Sequence, residues 1–263
     1  MFRAADNSKD DLAMTSIGHE GFATRVPSSR IITLDLMRTA ALAAMVVFHT
    51  ARDLELMGQI PAGTTLGGGW AFFARLVAES FLFLAGTSLY LAHGQRIRWR
   101  AFFKRLLRIA AAAGLVTAVT YAAMPDRFVY FGILHSICAA SLIGLLFLRA
   151  PVPVTLVAAA VVFILPDLYR FEALNSPALA WIGLSQQTPA SLDFEPVFPW
   201  LAPFLIGVSA GKFLSDRGSW NRLRNRPAGS WTNLAAWPGR HSLLVYLVHQ
   251  PVLLAVIWLA TAQ

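Results

Sequence analysis

Two side chains eleven positions apart, Arg38 and His49, offer the plainest chemistry in this sequence, at the two ends of the apolar stretch "RTAALAAMVVFH". An arginine is a permanent cation suited to holding an anionic group, and a neutral histidine can take a proton or a covalent adduct near pH 7. In an α-helix eleven residues turn through about 1100°, three turns plus roughly 20°, and rise about 16 Å. Arg38 and His49 are therefore predicted to share one helix face. Asp35 precedes Arg38 by three residues and Asp53 follows His49 by four, so each basic group gains a carboxylate neighbour on the helix surface. The pattern predicts a polar stripe with Arg38 holding an anion at one end. At the other end His49, oriented by Asp53, exchanges a proton or forms a covalent adduct; the alternative is that Asp35 and Arg38 snorkel to the interface while His49 and Asp53 merely end the helix in water.

Further candidates lie in other apolar runs. Arg75 and Glu79 form an i,i+4 pair inside "WAFFARLVAESFLFLAG", read either as part of a site or as an interhelical clamp. His135 opens "HSICAAS", and Ser242, Tyr246 and His249 recur at spacings of four and three on one face of "GRHSLLVYLVHQPVL". Asp193 and Trp200 flank the start of the run that contains Gly207 and Gly211, a small-xxx-small pair that reads as close helix packing. Cys138 is the single cysteine, so no internal disulfide and no Cys-based metal site is available, and no metal is expected.

These residues need a membrane scaffold. The chain is 56% hydrophobic and 14% charged over 263 residues, beyond the apolar share of about 45–50% usual in soluble domains. Its excess of Lys and Arg is read as membrane topology rather than nucleic-acid binding. Seven runs approach the roughly 20 residues that cross hydrocarbon, near 31–50, 70–92, 107–124, 129–148, 152–169, 197–214 and 241–260. The fifth is the weakest, because Pro151, Pro153 and Pro166 crowd it, and a tilted or re-entrant element is the alternative. The expected fold is all-α, a polytopic bundle of about seven transmembrane helices. Residues 1–30 carry closely spaced charges and no signal-peptide core, so they are read as a cytoplasmic tail ahead of a membrane domain over 31–263. Basic residues cluster before the first span, between spans two and three, and from Lys212 to Arg240, which predicts a cytoplasmic N-terminus in the inner membrane.

The ordered motifs "LDLMRTAALAAMVVFHTARDL", "ESFLFLAGTSLYLA", "YFGILHSICAASLIGLLFL", "DFEPVFPWLAPFLIGVSAGKFL" and "GRHSLLVYLVHQPVL" resemble bacterial relatives of the heparan-alpha-glucosaminide N-acetyltransferase catalytic domain. That group belongs with the wider transmembrane acyltransferases, many of which show an R-x10-H signature that Arg38 and His49 match. The resemblance implies transfer of an acyl group, typically acetyl, from cytoplasmic acetyl-CoA to a hydroxyl or amine of a saccharide or glycolipid across the membrane. It implies no tightly bound cofactor; partners are acyl-CoA, the acceptor and lipid. In the lysosomal enzyme the active histidine lies between the first two matching helices, whereas residues 54–69 here contain no histidine, which leaves His49 as the candidate.

The expected mechanism makes His49 the general base or a transient acyl carrier, with Asp53 or Asp193 fixing its tautomer. Arg38 with Arg75 steadies CoA, and Glu79, His135, Trp200, Tyr246 and His249 line the site. A non-enzymatic carrier or flippase for a lipid-linked sugar is the main rival. A b-type haem held by two of the histidines, such as His49 and His135, is a remoter one.

Overall fold

The computed structural model describes residues 30–225 and 229–261; the expected tail, all but Arg30, lies outside them. The first helix, α1 (Ile32–Leu56), runs six residues past the expected end of span one. Charges at 52–55 read as a loop in sequence, but each finds a partner. Arg52 pairs with Glu55 at 2.9 Å, and Glu55 also accepts the backbone N–H groups of Gly63 and Thr65. The connection therefore folds back on the last turn of α1, through a single 3-10 turn at Thr64–Leu66.

Next come α2 (Gly68–His93) and α3 (Trp99–Ala123). The latter begins eight residues before the expected start, because the basic amphipathic segment 99–106 is helical although it is not apolar. The fourth expected span is shorter than 129–148. It comprises α4 (Ile133–Gly144) and one 3-10 turn at Leu145–Phe147, while Phe131 is extended and bridges to Phe194. The proline-flanked fifth span is a continuous helix, α5 (Val152–Leu168). Pro151 sits at its N-cap and Pro153 in its first turn, where a missing N–H breaks nothing. Then follow α6 (Val197–Asp216), the short α7 (Ser219–Arg224), α8 (Ser230–Ala235) and α9 (Trp237–Arg240), and finally α10 (Ser242–Thr261).

Five of these, α1, α2, α3, α6 and α10, are long and apolar enough to cross a membrane; α4 with its 3-10 turn and α5 are shorter apolar helices. Large apolar side chains such as Phe72, Leu107, Leu146 and Val157 are exposed all around the bundle, as expected of surfaces that face lipid. The chain is a multi-pass membrane protein.

The spine of the bundle is the contact between α2 and α6, and α5 also packs along α6. Glycines set its closeness. A Cβ on Gly86 would lie 2.0 Å from the Phe204 carbonyl oxygen, and one on Gly207 would lie 2.1 Å from that of Phe83. Thr87 Oγ1 donates to the Gly207 carbonyl at 3.0 Å across the same contact. The packing reading of Gly207 and Gly211 thus holds, with Gly86 the partner that makes the approach mutual. Helix α1 lies against α2, α9 and α10, and α4 bridges α2, α3 and α6.

Gly207→Val should therefore lower the melting temperature of the purified protein in detergent, by at least the roughly 1–3 kcal/mol typical of overpacking, since the obstacle is backbone. Gly114→Val on α3, where an added Cβ meets nothing within 4 Å, should leave it nearly unchanged.

Candidate active site

At the end of the bundle where α1 begins, a cavity of about 430 Å³ opens between α1, α2, α3, α4 and α10. Arg30, Arg38, Arg105, Arg108 and Arg240 line it, with Phe81, Ile137 and Tyr246 among its apolar and aromatic walls. Arg38 is fixed on both sides of its fork. One nitrogen donates to Asp35 Oδ1 at 2.8 Å and the other to Ser88 Oγ on α2 at 2.6 Å. Asp35 is buried and also faces Arg240 Nε at 3.6 Å. The second contact exists because α9 lies directly on α1, where a Cβ on Gly239 would fall 1.8 Å from the Asp35 carbonyl oxygen. Asp35 is the only carboxylate that pairs with the cavity's arginines among the described residues, so the wall carries excess positive charge. A wider cavity of about 900 Å³ adjoins along α2 and α3, lined by Arg96, Arg98, Arg100 and Arg224 with Trp99 and Trp220. The two follow one another on both helices, from Leu84 and Ser88 to Tyr90 and Leu91, and from Arg108 and Arg105 to Arg100.

About three turns further along α1, His49 faces α10. Its ring centre lies 5.0 Å from that of His249, with the planes tilted by 57°. His249 Nδ1 contacts the Tyr246 carbonyl oxygen at 2.5 Å; a carbonyl only accepts, so Nδ1 carries the hydrogen. Nε2 is then the basic nitrogen of the neutral ring, and it is buried without a partner. One residue on, Gln250 Nε2 donates to Asp53 Oδ1 at 2.7 Å and ties α10 to α1. Asp53 Oδ2 and Gln250 Oε1 are also buried and unpaired. These three atoms are all hydrogen-bond acceptors. Tyr246 joins the two regions, since it lines the arginine cavity and its ring centre lies 5.6 Å from that of His249.

Asp53 is thus engaged by Gln250 and makes no hydrogen bond to His49; His249 is the group that meets the His49 ring. Asp193 is engaged elsewhere as well. Its Oδ2 accepts the Ile133 N–H at 3.0 Å and caps α4, in space left by Gly132, whose Cβ would fall 2.2 Å from that oxygen. Arg75 does not join Arg38. It lies thirteen residues from Ser88 on α2, about 20 Å along the axis. There it pairs with Glu79 at 2.9 Å and lies over the rings of Phe163 and Trp200, at 5.3 and 5.9 Å. That is the clamp reading, tying α2 to α5 and α6. His135 faces α3 and does not line the cavity that its neighbours Ile133, Leu134 and Ile137 line. Thr117 Oγ1 gives its one hydrogen to the Val129 carbonyl, so His135 Nε2–H donates to Thr117 at 3.3 Å. Sequence places Arg105, Arg108 and Arg240 only within the basic clusters expected to attract CoA, and it singles out neither Ser88 nor Gln250. Arg105 and Arg108 are spaced like any interfacial basic pair, and Gln250 is marked only by its place beside His249.

The loop before α6 adds Glu195, close to Asp193, Glu79 and Arg75. Burial pushes its carboxyl well above the usual carboxylate range, with the charges of Asp193 and Glu79 adding to the shift and Arg75 opposing it. Asp193 is raised too, by burial, against the Ile133 N–H bond.

The profile of the family described as "Heparan-alpha-glucosaminide N-acetyltransferase, catalytic" matches residues 30–251, and the chain belongs to that family. No curated protein and no solved structure matches it.

The Glu195 environment has a signature in stability against pH. A carboxyl whose pKa is raised by folding contributes stability that is fully present below its unfolded pKa, near 4.3, and is lost as pH rises through the folded value. Glu195→Gln, which keeps the neutral shape, should match wild type near pH 4 and melt at a higher temperature near pH 8. Parallel melting curves across that range would remove Glu195 from the pH dependence.

Proposed function

We propose that this member of the family moves an acetyl group from acetyl-CoA, held at the arginine end, to an amine or hydroxyl of a saccharide or glycolipid presented at the His49 end. The observation that carries the reading is the pairing of an arginine-rich, cationic cavity with a cluster of three buried, unpaired acceptor atoms, on either side of Tyr246. CoA presents phosphates to the first; a sugar amine or a set of hydroxyls presents N–H and O–H groups to the second.

Arg30, Arg38, Arg105, Arg108 and Arg240 would hold the phosphates, with Arg96, Arg98 and Arg100 raising the positive potential at the wider mouth. The thioester arm would extend past Phe81 and Ile137 toward Tyr246. The acceptor nitrogen or oxygen attacks the thioester carbon and its proton passes to His49. The carbon–sulfur bond breaks with its electron pair going to sulfur, and the thiolate takes a proton from water. An acyl group carried transiently on His49 is the two-step version of the same transfer. In this reading the arginine end is cytoplasmic, α4 and α5 complete seven passes, and the protein resides in the cell inner membrane. The basic clusters between α2 and α3 and from Lys212 to Arg240 support that orientation.

The test is acetyl-CoA binding and acetyl transfer by purified protein in lipid vesicles, with methyl glucosaminide as the probe acceptor. His49→Ala should retain acetyl-CoA affinity and lose about 10²–10⁴-fold in transfer rate. Arg105→Gln should instead raise the Kd for acetyl-CoA about tenfold, the loss of roughly 1.5 kcal/mol expected of one charge-assisted bond. Protein that fails to bind acetyl-CoA would point to the carrier reading, and full activity in His49→Ala would remove His49 from the mechanism.

A further inference from the structure

We propose that His249 is the proton partner of His49, so that the two rings work as a relay in which His49 meets the acceptor and His249 takes the proton that His49 gives up. The proposal rests on the transfer reading above and adds a residue to it. Three features of the structure carry it.

The tautomer of His249 is fixed. Its Nδ1–H is committed to the Tyr246 carbonyl, so Nε2 is the nitrogen with a free electron pair. That atom is buried and unpaired, a costly state for a polar group. The cost is explained if the atom has a partner during the reaction.

The separation is right. A ring nitrogen lies about 1.1 Å from the centre of an imidazole, so an N–H···N bond of about 2.9 Å puts two ring centres roughly 5 Å apart. The His49 and His249 centres are 5.0 Å apart. His249 Nε2 makes no hydrogen bond to His49 as the rings stand, and rotation of His49 about its Cβ–Cγ bond is the movement that would form one.

The pair is held from both sides. Toward the arginine cavity, Leu42 and Met45 of α1 pack with Val245 and Tyr246 of α10 in one apolar cluster. Beyond the rings, Asp53 and Gln250 join the same two helices. Asp53 Oδ2, unpaired and one helical turn from His49, supplies negative charge near the imidazolium that forms.

The step balances as follows. The acceptor X–H bond breaks as X bonds to the thioester carbon, and the proton goes to the His49 nitrogen that faces the acceptor. The other His49 nitrogen passes its hydrogen to His249 Nε2. Sulfur leaves with the carbon–sulfur pair and becomes a thiol by taking a proton from water, and His249 returns its proton to water; His49 is left as its other tautomer and regains the first by exchanging its proton with water before the next turnover. His249 is a positioning residue in this scheme, since it acts through His49.

The test uses full-length protein in vesicles, with acetyl-CoA and methyl glucosaminide as probes, and the variants His249→Gln and His249→Ala. Both should bind acetyl-CoA like wild type and transfer acetyl about 10²-fold more slowly, the lower bound for a lost proton-transfer partner. Added imidazole should restore part of the rate in His249→Ala, where a cavity is left, and little in His249→Gln, where it is filled. A wild-type rate in His249→Gln overturns the relay and leaves the transfer reading standing. Loss of acetyl-CoA binding in both variants, with no recovery in imidazole, also overturns it and makes His249 a packing residue. A wild-type protein that binds no acetyl-CoA brings down both.

Discussion

Five guanidinium groups converge on one cavity between the helices, and among the described residues a single buried carboxylate pairs with them. The rest of the structure is arranged around that imbalance. Arg30 and Arg108 are exposed while Arg38, Arg105 and Arg240 are half-buried, and a cation withdrawn from bulk water is costly unless it is paired, hydrogen-bonded or wet, so the cavity suits water or an anion. The fold limits the cost by sharing Asp35 between Arg38 and Arg240 and by turning Ser88 of α2 toward Arg38. Docking of α9 is part of the same solution, because only a glycine at 239 lets its backbone touch α1 closely enough to bring Arg240 to Asp35.

The helices divide into a stiff set and a looser one. Helices α2 and α6 interlock through Gly86 and Gly207, and the fully buried side chains Leu82, Leu89, Phe204 and Leu205 belong to that contact. Helix α10, by contrast, buries little beyond Ile257, and polar groups supply part of its attachment to α1. Three buried polar atoms without partners lie at this second seam, where Asp53, His249 and Gln250 meet. A polar seam between a rigid core and lightly packed helices is a place where a substrate can be admitted without disturbing the elements that hold the arginines.

Hydropathy made the five helices long enough to cross a membrane, and the two shorter apolar ones, visible in the sequence, because length and apolar content are local properties. It misplaced ends wherever charge was compensated at a distance. Helix α1 outruns its apolar stretch because Glu55 is satisfied by Thr65 and Gly63, and Asp53 by Gln250, 197 residues away. The same limit applies to the site. Helical periodicity puts Arg38 and His49 on one stripe, but it does not say that the first looks to Ser88 and the second to His249. It also made Asp53 the natural partner of His49, since four residues is the ideal spacing, and a glutamine on another helix takes that carboxylate instead. Arg75 read as a companion of Arg38 by charge alone; its position along α2 sends it to Trp200 and Phe163.

Hydrogen-bond polarity is what separates the two ends of the stripe. Guanidinium groups only donate and carry positive charge, so the arginine cavity is matched best to phosphates and carboxylates. Asp53 Oδ2, Gln250 Oε1 and His249 Nε2 only accept, so the other end is matched to N–H and O–H groups and repels phosphate. Each orphan owes its polarity to a bond made elsewhere: the Gln250 amide is oriented by Asp53, and the His249 tautomer by the Tyr246 carbonyl. Exchanging the two ligands would set cation against cation at one end and anion against anion at the other. A site built this way reads the direction of approach from polarity alone, and Tyr246, which touches both halves, is the point at which the two ligands would meet.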